Sequence, residues 1–215
     1  MIYKVFLKFT IFAIILTGCS TKQSNTPKAP DFMLSDNYFG EIVEFDYNES
    51  IGDLLNSVYK YEGSGAGGDC SGFITLLNSK NDEIYFNPNE LHKHMTSYRK
   101  SEGIYNLYAA NKGIFYKDPK PGDLIFFYNT TSNTKNSKKK HITHIGVIRD
   151  VYKDGRVSFV HNTRGKNKID FMNLNRKNVN KTGSITQNSY IVRCQRGDSR
   201  CLTSNKFAGY GRVAR

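Results

Sequence analysis

The spacing of apolar side chains changes once along this chain, from a helical period to an alternating one. Ile51, Leu54, Leu55 and Val58 recur at three- and four-residue intervals, which predicts an amphipathic helix ending near Lys60. The run Gly63-Ser64-Gly65-Ala66-Gly67-Gly68 cannot continue it and forces a loop. A second helix is expected to open at Asp69-Cys70. Asp69 suits an N-cap, and Phe73, Ile74, Leu76 and Leu77 supply a buried face. Residues 80–91 are turn-rich and read as an insertion, and 95–110 read as a third helix weakened by Gly103. Beyond Pro121-Gly122 the pattern becomes strand-like: 123–128, 144–152 and 156–162, the last two joined by a turn at Lys153-Asp154-Gly155. Residues 129–140 read as a mobile basic loop between the first two strands, and further extended pieces are expected around 168–172 and 190–194. Helices first and an antiparallel sheet second predict an α+β domain.

The chain's first residues follow another pattern. Lys4 and Lys8 precede an apolar run over 9–16, then Thr17, Gly18 and Cys19, the three-part layout of a secretory signal peptide. Leu16-Thr17-Gly18-Cys19 resembles the lipobox of bacterial lipoproteins, which implies a diacylated Cys19 as the mature N-terminus and membrane attachment without a spanning helix. Residues 20–47 are polar, contain Pro27 and Pro30, and show neither period. The expected organisation is therefore a signal peptide over 1–18, a lipid-anchored tether over 19–47 and one folded domain over 48–215. Location at the cell envelope follows, on the outer membrane facing the periplasm if the host is diderm.

The formal net charge is +12. Residues 129–181 hold thirteen Lys or Arg against three Asp, a surface suited to anionic partners or simply to solvent. An exported protein seldom meets nucleic acid, so wall polymer or membrane is the expected partner, and a monomer the expected state. Of the four cysteines, Cys19 is assigned to lipid, and Cys194 and Cys201 form a candidate disulfide pair for an oxidising compartment. Cys70 is left alone.

At the start of a helix, unpaired backbone N–H groups and the dipole favour a thiolate, and the same amides suit an oxyanion. A nucleophilic thiol also needs a base. His144 opens a strand and shares a face with Gly146, whose lack of a side chain is expected to leave room for the Cys70 helix. His161 lies on the following strand, placed to orient His144; Asn162 faces the other way. His141 belongs to the loop and ranks below His144 as base. Glu90, His92 and His94 lack a second cluster that would complete a metal site, and the glycine-rich loop lacks the strand and Gly-Lys-Ser/Thr of a phosphate loop.

Together these pieces resemble the NlpC-type cell-wall peptidases, papain-like hydrolases of bacterial peptidoglycan. Tyr59 lies eleven residues before the cysteine; Gly68-Asp69-Cys70-Ser71-Gly72-Phe73, Pro121-Gly122-Asp123-Leu124-Ile125-Phe126-Phe127, Thr143-His144-Ile145-Gly146-Val147 and Phe159-Val160-His161 follow in the family's order. The resemblance implies a papain-like fold with N-terminal helices on an antiparallel sheet, Cys70 as nucleophile, His144 as base and acid, and His161 as its partner. It also implies Tyr59 and Ser71 near substrate or oxyanion, no metal or organic cofactor, and cleavage of peptidoglycan stem peptides, commonly between D-glutamate and the diamino acid. The Trp-Gly-Gly usual after the tyrosine is replaced by Tyr61-Glu62-Gly63. An inactive peptidoglycan- or envelope-binding lipoprotein, or another acyl transfer on the same scaffold, are the rival readings.

Overall fold

The structure, a computed structural model, describes residues 40–195 and 197–213. The expected signal peptide, the lipid site at Cys19 and most of the tether lie outside these residues. No helix among the described residues is long and apolar enough to cross a membrane.

Asn48 opens the first helix, α1 (Glu49–Tyr61), by accepting a hydrogen bond from the Ile51 N–H. Ile51, Leu54, Leu55 and Val58 are all buried, as their spacing predicts, and each contributes about 1.5–3 kcal/mol by leaving water. The second helix, α2 (Cys70–Lys80), starts where Asp69 predicts. The turn-rich insertion carries a short helix, α3 (Pro88–Lys93), with Asn87 as cap and proline at its start. The third expected helix is shorter than its sequence suggests: α4 spans Lys100–Ala110. Gly103 does not interrupt it. Met95 Sδ lies 2.2 Å from where a Cβ would stand, so the glycine lets the preceding segment pack against the helix.

The strands are β1 (Ile114–Phe115), β2 (Leu124–Tyr128), β3 (Ile142–Val151), β4 (Arg156–Thr163) and β5 (Lys166–Asn173). A small hairpin of β6 (Lys181–Thr182) and β7 (Ile185–Thr186) follows, then α5 (Thr203–Lys206) and β8 (Phe207–Gly211). The main sheet is antiparallel with the order β1-β8-β2-β3-β4-β5. α1, α2 and α4 cover one face, where Leu124, Phe126, Ile145, Val147 and Val160 meet Leu54, Val58, Phe73, Ile74 and Ile104. Ile125, Phe127, Ile148, Phe159 and Met172 form a second cluster on the other face. Burial on both faces explains why β2 reads as an unbroken apolar run. This is the expected α+β arrangement.

Three expectations change in detail. The tether was expected to reach residue 47, yet Ile42 bridges Tyr152 and the Val43 N–H donates to the Val151 carbonyl at 2.8 Å. The loop over 129–140, read as mobile, is closed by Asn129: its side chain donates to the Ser137 and Lys139 carbonyls and accepts from the His141 N–H. The extended piece over 190–194 reduces to one bridge, Tyr190 to Leu202, and a Cys194–Cys201 disulfide lies beside it. Asp123, from the Pro-Gly-Asp turn, is fully buried and accepts from the Lys120 and Val213 N–H groups and from Arg212. Its carboxylate fastens the end of the chain to the sheet.

Candidate active site

The loop before Cys70 is shaped by close backbone contact. Asp69 Oδ1 accepts from the Gly72 N–H at 2.7 Å and from the Ser71 hydroxyl at 2.9 Å, completing the cap. Ser71, expected near substrate, is thus engaged in holding the helix start. Gly67 has φ +89°, and its carbonyl oxygen lies 2.0 Å from where a Cβ on Gly72 would stand. Two glycines five positions apart let the loop fold back onto the first turn of α2.

A residue that the sequence reading missed secures this loop from the sheet. Asn167, fully buried on β5, donates to the Tyr61 and Ala66 carbonyls at 3.0 and 3.1 Å and accepts from Asn162 at 2.9 Å. Its backbone also exchanges hydrogen bonds with Gly63 and Ser64. Asn162 therefore faces the loop rather than the histidines, as its strand position predicts. Asn167→Ala would take a donor from the Tyr61 and Ala66 carbonyls and remove the acceptor of the buried Asn162 amide. Urea unfolding is expected to show a loss of about 2–4 kcal/mol, and a change under about 0.5 kcal/mol would remove the clamp from the argument.

Cys70 is partly buried at the first turn of α2. The sequence suggests a depressed thiol; the structure reverses this. Burial pushes the Cys70 thiol up to about 11, and the nearby Asp69 carboxylate adds to the rise. The Ile145 backbone amide opposes it, as do those of Ser71 and Cys70, but they do not outweigh the loss of water. These three amides converge on the sulfur. Ile145 follows His144 directly, so α2 brings the thiol to the strand that carries the expected base.

His144 lies opposite Phe127 in the β2–β3 register. Its Nε2 meets His161 Nδ1 at 2.5 Å, the two rings standing edge to face with centroids 4.8 Å apart. Burial and the adjacent His161 hold His144 well below the usual histidine range. Gly146 has a different role from the one expected. A Cβ there would meet Phe159, the Val160 carbonyl and His161 Cβ at 3.0–3.2 Å, so the space it leaves is filled by β4, His161 included, and not by the Cys70 helix.

His161 is almost wholly buried, and its Nε2 lies 2.9 Å from Asp170 Oδ2 on β5. Asp170 was also missed. The β4–β5 hairpin turns at Arg164 and Gly165, both with positive φ, and pairs Thr163 with Lys166, hence Phe159 with Asp170. On that face Asp170 is a diagonal neighbour of His161. Recognising Arg-Gly as a two-residue turn and counting back along the strands is the signal that would have found it.

Tyr59 stands in an ion-pair cluster. The Arg149 guanidinium lies 5.1 Å above its ring and pairs with Glu62 and Asp150, each at 3.1 Å. Arg149 hydrogen-bonds the Tyr59 hydroxyl, which burial and the Asp150 charge raise above its ordinary value. His141 lends its backbone to the Asn129 staple. Among the described residues, Cys194, Asp198 and Cys201 are the group with metal-ligand spacing, and its two sulfurs are bonded to each other; Glu90, His92 and His94 form no such group.

No curated protein and no solved structure matches the chain. The model of the NlpC/P60 family matches residues 56–186, well over half the sequence and inclusive of Cys70, His144, His161 and Asp170. The chain belongs to the NlpC/P60 family, whose members are generally cysteine peptidases that hydrolyse peptidoglycan.

Proposed function

We propose that this protein is a peptidoglycan endopeptidase that cuts an amide bond in the wall's stem peptides, the bond between D-glutamate and the diamino acid being the favoured target. The observation that carries the reading is a thiol at a helix start, held against the Ile145 amide of the strand on which the preceding residue, His144, is joined to His161. Cys70 attacks the scissile carbonyl while His144 takes its proton, and backbone amides around the sulfur stabilise the oxyanion. The protonated imidazole then donates to the leaving amine, and water releases the acyl group from sulfur with His144 again as base. The sequence supports a place at the cell envelope, held by lipid on Cys19.

Incubating the domain from residue 40 onward with purified peptidoglycan, followed by mass spectrometry of released fragments, tests the assignment. New peptide ends that identify one cleaved bond support it. Intact peptidoglycan that retains the protein would replace it with the binding reading.

The pH profile follows from the lowered His144. Only the neutral imidazole can accept the thiol proton, and burial beside His161 holds its pKa well below the 6.5 of an ordinary histidine. Activity is therefore expected to survive to lower pH than an ordinary histidine allows, with the acid limb of kcat/KM below 6.5. An acid limb above pH 7 would contradict the buried neutral base.

A further inference from the structure

His161 does not end the chain of contacts behind His144; Asp170 does. A carboxylate only accepts hydrogen bonds, so the 2.9 Å contact from His161 Nε2 to Asp170 Oδ2 requires the proton on that nitrogen. In a neutral imidazole the other nitrogen, Nδ1, is then bare and must accept. Its partner at 2.5 Å is His144 Nε2, which must therefore donate. That leaves the lone pair of His144 on Nδ1, the nitrogen not engaged by His161.

The geometry alone permits the opposite order. With His161 protonated on Nδ1, His144 Nε2 would accept and Nδ1 would carry the proton, so that it could not take one from a thiol. Two histidines in contact have no intrinsic preference between these directions. The acceptor at the end of the row decides. We propose that Asp170 is a positioning residue that fixes the tautomers of both histidines so that His144 presents Nδ1 as the base toward Cys70, a role that rests on the peptidase reading above.

The reaction needs no proton to travel along the row. The proton leaves Cys70 Sγ for His144 Nδ1 as the sulfur's electron pair forms the bond to carbon, and it later goes to the leaving nitrogen. His161 keeps its Nε2 proton and Asp170 stays a carboxylate throughout. The imidazolium formed on His144 gains from a bare His161 Nδ1 in front of it, with the negative charge behind. The charged groups that the contacts and the strand register place next to the pair are Lys168 and Asp170 on β5; Lys168 sits opposite His161 in the register. Of the two, Asp170 is the one in hydrogen-bond contact with a ring.

Asp170→Ala and Asp170→Asn separate this role from simple packing. Asparagine keeps an oxygen that can accept from His161 Nε2, and so keeps the tautomers while losing the charge. Expected for alanine is a fall in kcat of about 10–100-fold with KM nearly unchanged, and an acid limb moved to lower pH. Asparagine should recover a substantial part of the lost kcat. Ring-nitrogen NMR on the intact protein reads the tautomers without any substrate. The parent and Asp170→Asn should show His144 protonated on Nε2, whereas Asp170→Ala should show a mixture.

Parent histidines with the proton on His144 Nδ1, or an alanine variant with unchanged nitrogen spectrum and kcat, would overturn the proposal. If the parent cuts no peptidoglycan yet shows the Nε2 tautomer, and loses it in Asp170→Ala, the substrate assignment fails and the role of Asp170 stands.

Discussion

Cys70→Ala is expected to release no stem peptide from peptidoglycan above the enzyme-free rate, a loss of about 10⁴-fold or more, with no fall in melting temperature. Alanine gives up the weak contacts of the Ile145, Ser71 and Cys70 amides with the sulfur, but it is the better helix former and relieves the thiol's burial, so the two effects offset. Cys70→Ser is expected to lose nearly as much, since a serine hydroxyl gives up its proton less readily and the site is arranged around sulfur. A serine variant within tenfold of the parent would remove Cys70 from the nucleophile's role.

How the thiol is used follows from its burial. With a pKa of about 11, only about 10⁻⁴ of Cys70 is thiolate at neutral pH. His144 is neutral as well, so the resting site holds no thiolate–imidazolium pair. Proton transfer must then accompany attack, and His144→Ala should cost about as much as Cys70→Ala, because the two act as a unit. Alkylation by iodoacetamide gives an independent reading: it should be slow at pH 7 and accelerate toward high pH. Fast alkylation that stays flat between pH 5 and 8 would show a stable ion pair instead.

That difference shows where sequence reasoning stops. Asp69 as N-cap and the start of α2 at Cys70 were legible because capping is local, and the helix amides were legible with it. The balance between those amides and lost water was not, because burial depends on β3 arriving from seventy residues further on. β2 was legible as an apolar run after Pro121-Gly122, and β3 to β5 from their strand-like residues and the turn between the first two. β8 was not: Phe207-Ala208-Gly209-Tyr210-Gly211 has two glycines and little alternation, and it becomes a strand because β1 and β2 leave a place between them. His161 could be named from its neighbour across a hairpin. Asp170 and Asn167 needed the register of the next hairpin as well. Gly146 was recognised as a space, and what fills it depends on how β4 packs.

The glycines of the nucleophile turn carry the second large effect. Gly72→Ala puts a methyl group 2.0 Å from the Gly67 carbonyl oxygen, a backbone atom that no side-chain rotation can move. Either α2 or the loop must shift, and both carry the thiol's position. The expected cost is about 3 kcal/mol, a fall in melting temperature of about 6–12 °C for a domain of this size. If the loop moves and limits that cost, kcat should fall at least about 100-fold, since a displacement near 1 Å at the reacting atom is enough to do so. Gly68→Ala is the control. Gly68, unlike the helical Gly72, has positive φ, at +77°, but nothing lies within 4 Å of where its Cβ would stand, so only the left-handed backbone penalty of about 1 kcal/mol applies. If Gly72→Ala were as mild as Gly68→Ala in both stability and kcat, the tight fold of the loop onto α2 would not be what sets the position of Cys70. A large gap between the two would mean that the glycine after Cys-Ser is there to let the loop's carbonyl in.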